Sequence, residues 1–175
     1  ALIETKRLVS EAASSYRNYT FHMVYHSIYK FCSVTMSSIY LDILKDRLYT
    51  SAARSTERRS AQSALYHILS SLVRIMAPIL SFTAEEAWSK MPEAAGESVH
   101  LAPWPDLRDV REDEVLTSKY RRIFEIRDAV MLALEEKRQA RVIGSGLEAK
   151  VTIRTNADDI HGFLSGFKGE LPSIF

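Results

Sequence analysis

Two histidines four residues apart, His22 and His26, are the first side chains that helical spacing would turn toward one metal ion. The glutamate of the zinc-protease pattern is missing and no third ligand follows at helical spacing, so no metal site is expected. The single Cys32 cannot form an internal disulfide, and it falls on an apolar stripe where a thiol packs as a small hydrophobe. Gly144-Ser145-Gly146 lacks the further glycine and preceding strand of a dinucleotide loop. Glu85 with Glu86, and Glu135 with Glu136, point apart on a helix and make no carboxylate dyad. No catalytic residue is expected. What does concentrate is positive charge beside stacking and hydrogen-bonding groups. Lys45, Arg47, Tyr49, Arg54, Arg58, Arg59 and Tyr66 lie in one helix-loop-helix stretch, with Gln62, Ser63, His67 and Arg74. Unpaired RNA is read by stacking bases on aromatic or guanidinium planes while Lys and Arg hold phosphates. The same residues also suit a second reading, in which the tyrosines pack at a bundle rim and the arginines are solvated or paired with Asp42, Asp46 and Glu57.

The elements that must position them are helical. Phe21, Val24, Tyr25, Ile28, Phe31 and Cys32 recur at spacings of three and four, predicting a core-facing stripe on a helix from about Asn18 to Met36. Ser38 to Tyr49 predicts a second helix, and Thr50 to Thr56 a polar loop whose Thr56 caps the next. From Ala61 through Ala64, Leu65, Ile68, Leu69, Leu72 and Val73 to Met76 the 3.6-residue repeat is clear until Pro78 halts it. Thr83 to Glu86 reads as a capping box opening a short helix through Met91. The Pro-rich stretch to Asp106, with a short extended piece at Ser98 to Leu101, is the best linker candidate. A long helix from about Glu112 to Ala140 carries Leu116, Tyr120, Ile123, Phe124, Arg127, Val130 and Leu134 on one stripe. Then Leu147, Ala149, Val151 and Ile153 alternate as in a strand, Asn156 caps a short helix with Ile160, Phe163, Leu164 and Phe167, and Glu170 to Phe175 read as a strand cut off as it starts. The expected architecture is mainly α: a helical bundle at 1–92, a Pro-rich linker at 93–111, and at 112–175 a long helix plus a small truncated α/β unit.

The 175 residues, 46% apolar and 26% charged, describe an ordinary globular chain, and its longest apolar run is too short to span a bilayer. No membrane partner is expected, and the lone cysteine makes the cytoplasm the default. The chain starts on Ala1 without methionine, as a piece of a longer protein would. Its net charge of +1 hides blocks: six Lys/Arg against two Asp/Glu from Lys45 to Arg74, three against nine from Ile75 to Glu114, and nine against five from Val115 to Arg154. Such blocks suit a surface that holds a polyanion in places and avoids it elsewhere, and they also suit plain solvated helix faces.

The segments Ile39–Tyr49 and Arg58–Ile68 closely resemble the anticodon-binding bundle of isoleucyl-tRNA synthetases of bacterial type. Leu72–Trp88 is similar to that family's next helix pair, Ser98–Pro105 to the extended linker after it, and Arg141–Val151 to the segment leading into a small mixed unit. Valyl and leucyl enzymes share the architecture. The valyl family generally has proline after the lysine where this chain has Lys45-Asp46-Arg47, and Gly144 through Leu147-Glu148-Ala149 also favours the isoleucyl reading, although the family usually has serine at the position of Gly146.

The resemblance implies a tRNA-binding region whose parent enzyme joins isoleucine to its tRNA with ATP through an adenylate. Magnesium and zinc belong to that full-length enzyme. ATP signatures, an editing domain and a cysteine-rich zinc module are absent here, so the resemblance implies no cofactor and no catalytic site in this stretch. It implies isoleucine tRNA as the partner, not DNA, and a monomer. Lys45, Arg47, Tyr49, Arg54, Arg58, Arg59 and Tyr66 would line the RNA face, cations on phosphates and tyrosines on loop bases. Trp88 and Trp104 are expected to pack. The competing class is a helical protein-interaction module whose basic faces dock an acidic partner without preference among RNAs.

Overall fold

The computed structural model describes residues 1–92, 96–155 and 158–175. Every element among them is helical. They form two compact units, 1–112 and 113–175. None of the described helices is long and apolar enough to cross a membrane.

The first unit begins with a helix that periodicity reading passed over, α1 (Leu2–Arg17), which buries Leu8, Val9 and Ala12. It ends in a Schellman turn: Thr20 N–H bonds the Ser15 carbonyl at 2.9 Å, and Tyr19 N–H bonds the Tyr16 carbonyl at 3.1 Å. The left-handed position of that turn, usually glycine, is Tyr19 with φ of 56°. A Cβ there costs roughly 1–2 kcal/mol, partly offset by the extra chain entropy a glycine would lose. Replacing Tyr19 with glycine is therefore expected to raise the unfolding free energy by up to about 1 kcal/mol, read as a higher midpoint in urea titration followed by circular dichroism; a lowered midpoint would show that the ring contributes more than its backbone costs.

Next come α2 (Phe21–Lys30), a π-helical segment (Phe31–Leu41) and α3 (Asp42–Tyr49), joined end to end with right-handed helical φ and ψ at each junction. Together they make one rod, roughly 40 Å long at about 1.5 Å per residue. A π segment of 11 residues is long for a form usually confined to a single turn. Its sequence is rich in Ser, Thr and β-branched residues, whose hydroxyls compete for backbone carbonyls. Ser38 Oγ donates to the carbonyl of Ser33, five residues back, at 2.9 Å. The wider turn buries Phe31 and Met36, five apart, and leaves Cys32 exposed. The predicted stripe is thus corrected: Val24 and Phe31 are core, whereas Phe21 and Tyr25 are 49% and 56% exposed.

Helix α4 (Thr56–Met76) runs back along the rod. Ser55, not Thr56, caps it, accepting from Arg58 N–H at 3.2 Å. One face sends Ile68, Leu72 and Ile75 into the core shared with α1, α2 and the π segment; another sends Val73 and Ala77 against Ala84, Trp88 and Val99. The Ile75 carbonyl, lacking an intrahelical donor, accepts the Tyr16 hydroxyl at 2.8 Å, and burial pushes that phenol up to about 12.

The expected capping box does not form. The Ile79 and Leu80 amides close a turn onto the Met76 carbonyl, so α5 (Ser81–Ser89) starts before Thr83 and has no side-chain cap. Glu85 bonds Ser98 Oγ and Val99 N–H instead, at 2.9 and 3.0 Å. Val99–Leu101 is a 3-10 turn rather than an extended piece, because that carboxylate bends the chain onto the bundle.

In the second unit, Asp113 caps α6 (Glu114–Gln139) by accepting from Leu116 N–H at 2.8 Å. A 3-10 turn at Gly146–Glu148 is followed by α7 (Asp158–Ser165) and α8 (Leu171–Ile174). Ile123, Phe167 and Ile174 are buried together with Arg127, whose Nε donates to the Ile174 carbonyl at 2.8 Å. The expected α/β unit contains no strand among the described residues. Val151 and Ile153 are more than a third exposed, since alternation yields a strand only where a neighbour offers its backbone. Nor is 170–175 a strand: Ile174 and Phe175 bond the Glu170 and Leu171 carbonyls, and Pro172 sits in the first helical turn, where its missing N–H is harmless. Asn156, the expected cap, lies outside the described residues.

Candidate nucleic-acid interface

The core of the first unit gathers the C-terminal half of α4, while the N-terminal half packs with α3 through Leu44 and Ala61, 3% and 4% exposed. That leaves a helical hairpin whose loop, residues 50–55, forms its tip. Tyr49 ends α3 there, 81% exposed. Arg54 and Arg59 are also exposed, one in the loop and one in the first turn of α4, and neither has an ion pair among the described residues.

The remaining candidates are used differently. Arg58 is half-buried and donates Nη1 to the Ser51 carbonyl at 3.2 Å, so it closes the loop as well as charging it. Lys45 donates Nζ to Asp42 at 2.7 Å, a bond that raises its pKa. It stands one turn before Tyr49 on the same face. Arg47 falls about 160° round α3 from Lys45 and beside Tyr40, where its charge opposes the upward push of burial on that phenol. Tyr66 is half-buried with its ring edge-on to His67 at 5.8 Å, about 10 Å up α4 from Arg59. The structure therefore groups Tyr49, Arg54, Arg58, Arg59 and, behind them, Lys45 at one tip, and sets Arg47 and Tyr66 apart.

Sequence reasoning missed three features. Ser55 and the Ser51 carbonyl shape the loop, which only the cap position and Arg58 reveal. A second Schellman turn closes α6, with Val142 N–H on the Lys137 carbonyl at 2.9 Å and Arg141, φ 55°, in the left-handed position. The third is an exposed flank of α2, which presents Tyr25 and Tyr29 stacked at 6.0 Å. Among the described residues no three His, Cys, Asp or Glu side chains come together as metal ligands.

The fold and its tip define a mainly helical module whose exposed hairpin end offers guanidinium groups and a free phenol ring. The chain belongs to the anticodon-binding domain family of tRNA ligases, whose family model matches residues 1–153. It is similar over its whole length to the isoleucine–tRNA ligase of Geobacter sulfurreducens, 45% identical over 175 residues, and to that of Syntrophotalea carbinolica, 43% identical over 175. The isoleucine–tRNA ligase of Moorella thermoacetica is 43% identical over 176 aligned positions, covering 99% of this chain. The chain spans about a fifth of the length of these relatives, 19% in each case.

Proposed function

We propose that this chain is the region of an isoleucine–tRNA ligase that grips the anticodon stem and loop of isoleucine tRNA. The observation that carries the reading is the hairpin tip, where Arg54 and Arg59 stand exposed and unpaired among the described residues beside an 81% exposed Tyr49. Guanidinium groups hold phosphates bidentately, and a solvent-facing phenol ring offers a plane to an unstacked base. Lys45 and Arg58 extend this tip surface, while Arg47 and Tyr66, set apart from it, would need a separate stretch of the RNA to take part. The parent enzyme would use ATP and magnesium to attach isoleucine, with zinc in a separate module, and would work in the cytoplasm as a monomer. Contacts made here would supply binding energy that orients the acceptor end at a distant catalytic site.

The test is a titration of the chain with isoleucine tRNA, the same tRNA carrying a changed anticodon, and valine tRNA, each at two salt concentrations. The expected result is tightest binding to the unaltered isoleucine tRNA. Equal, strongly salt-dependent binding to all three would reduce the site to phosphate contacts, and absence of binding to any would overturn the proposal.

A further inference from the structure

One exposed flank of α2 is aromatic where an ordinary bundle helix is polar. Val24 and Ile28 turn into the core, and the flank beside them carries Phe21, Tyr25 and Tyr29 at i, i+4 and i+8, 49%, 56% and 61% exposed. The Tyr25 and Tyr29 rings lie 6.0 Å apart at 28°, a stack already open to solvent. Tyr19 heads the row, 79% exposed and edge-on to Phe21 at 6.1 Å, and it holds its place at the cost of a left-handed backbone that glycine would adopt freely.

Charge says what such a face accepts. Between Glu11 and Asp42 there is no carboxylate, while Arg17, His22, His26 and Lys30 are interleaved with the rings and exposed. Arg17 and Lys30 have no ion pair among the described residues. A purely apolar partner would strand Arg17 and Lys30, whereas RNA brings a phosphate for each of these two cations and a π face for each ring.

We infer that the aromatic face of α2, headed by Tyr19, is a second RNA platform that stacks unpaired bases outside the anticodon loop. The inference rests on the tRNA-binding reading above. Tyr25 and Tyr49 are 24 positions apart on one continuous rod, which places the platform roughly 35 Å from the hairpin tip. It therefore meets a different stretch of the same RNA.

Binding of isoleucine tRNA is measured at two salt concentrations for the unaltered chain, Tyr25→Ala/Tyr29→Ala, Tyr25→Phe/Tyr29→Phe, Tyr19→Gly, and the tip variant Arg54→Ala/Arg59→Ala, with ribose-reactivity footprints and size-exclusion chromatography alongside. The alanine pair is expected to weaken binding about tenfold or more with the salt slope unchanged, because stacking releases no counterions. The phenylalanine pair restores affinity, because the ring and not the hydroxyl is used. Tyr19→Gly weakens binding severalfold although its backbone is relaxed, so its loss is not one of folding. Protection disappears outside the anticodon loop only. An unchanged affinity for the alanine pair, with the tip variant weakened, overturns the platform and leaves the proposed function standing. A dimer that becomes a monomer in the alanine pair also overturns it, by assigning the face to a second copy. No binding by the unaltered chain removes the tRNA reading itself.

Discussion

Alanine at both Arg54 and Arg59 is expected to lower affinity for isoleucine tRNA on the order of tenfold and to reduce the slope of log K against log salt by about 1.4 to 1.8, with helix content unchanged. The pair is chosen for what it does not do in the folded chain. Neither guanidinium has a protein partner in the described structure, so removing it leaves no orphaned carboxylate and no empty space. Arg58 is a poorer probe, because it also ties the loop to the Ser51 carbonyl. Arg58→Ala is expected to add a loss of loop order to any loss of contact, and Arg58→Lys to retain charge while breaking that tie. Lys45 must first leave Asp42, which lessens its net contribution to an RNA contact. Filter binding across a salt series reads both quantities; an unaltered slope in the double variant would remove these arginines from the phosphate path whatever happened to the affinity.

The bundle was legible where one period governed one face. The repeat through Ile68, Leu72 and Met76 needed only the 3.6-residue rule, and Pro78 marked its end. The α2–π–α3 rod was not readable in that way. Between Phe31 and Met36 the buried spacing becomes five, so a stripe projected at three and four assigned Cys32 to the core, and Tyr25, about 100° round regular α2 from Val24, falls on the edge of the buried stripe and not in it. The second unit failed for another reason: alternation at Ala149, Val151 and Ile153 records which faces are apolar, while a strand also needs a partner backbone elsewhere in the fold. The hairpin tip was legible as a list of cations and rings, but not in its division of labour. Which arginine stays free and which closes the loop depends on the Ser51 carbonyl, a backbone group that carries no signal in the sequence. Tyr19 was hidden for a similar reason, because glycine is what a left-handed turn position leads a reader to seek.

Replacing Trp88 with alanine is expected to destabilise the first unit by about 3–5 kcal/mol, the usual cost of emptying a large buried aromatic site. Trp88 is 3% exposed among Val73, Ala77, Ala84 and Val99, and its indole N–H donates to the Gly96 carbonyl at 3.0 Å. Its ring also lies under the Arg74 guanidinium, 5.5 Å from the centroid. That guanidinium joins α4 to the returning chain through the Pro103 carbonyl at 3.4 Å and bonds Ser70 Oγ of its own helix at 2.6 Å, while its buried Nε has no acceptor among the described residues. The π face therefore compensates a cation whose hydrogen bonding is incomplete, and alanine leaves that cation beside a cavity. Phenylalanine separates the two contributions: it keeps an aromatic face for Arg74 and loses the N–H to Gly96, and is expected to cost about 1–2 kcal/mol. Urea titrations of both variants, followed by far-ultraviolet circular dichroism, make the comparison. Equal losses would place the stabilisation in the Gly96 bond, and a loss below about 1 kcal/mol for alanine would mean that Glu85, through Ser98 and Val99, holds the returning chain without the indole.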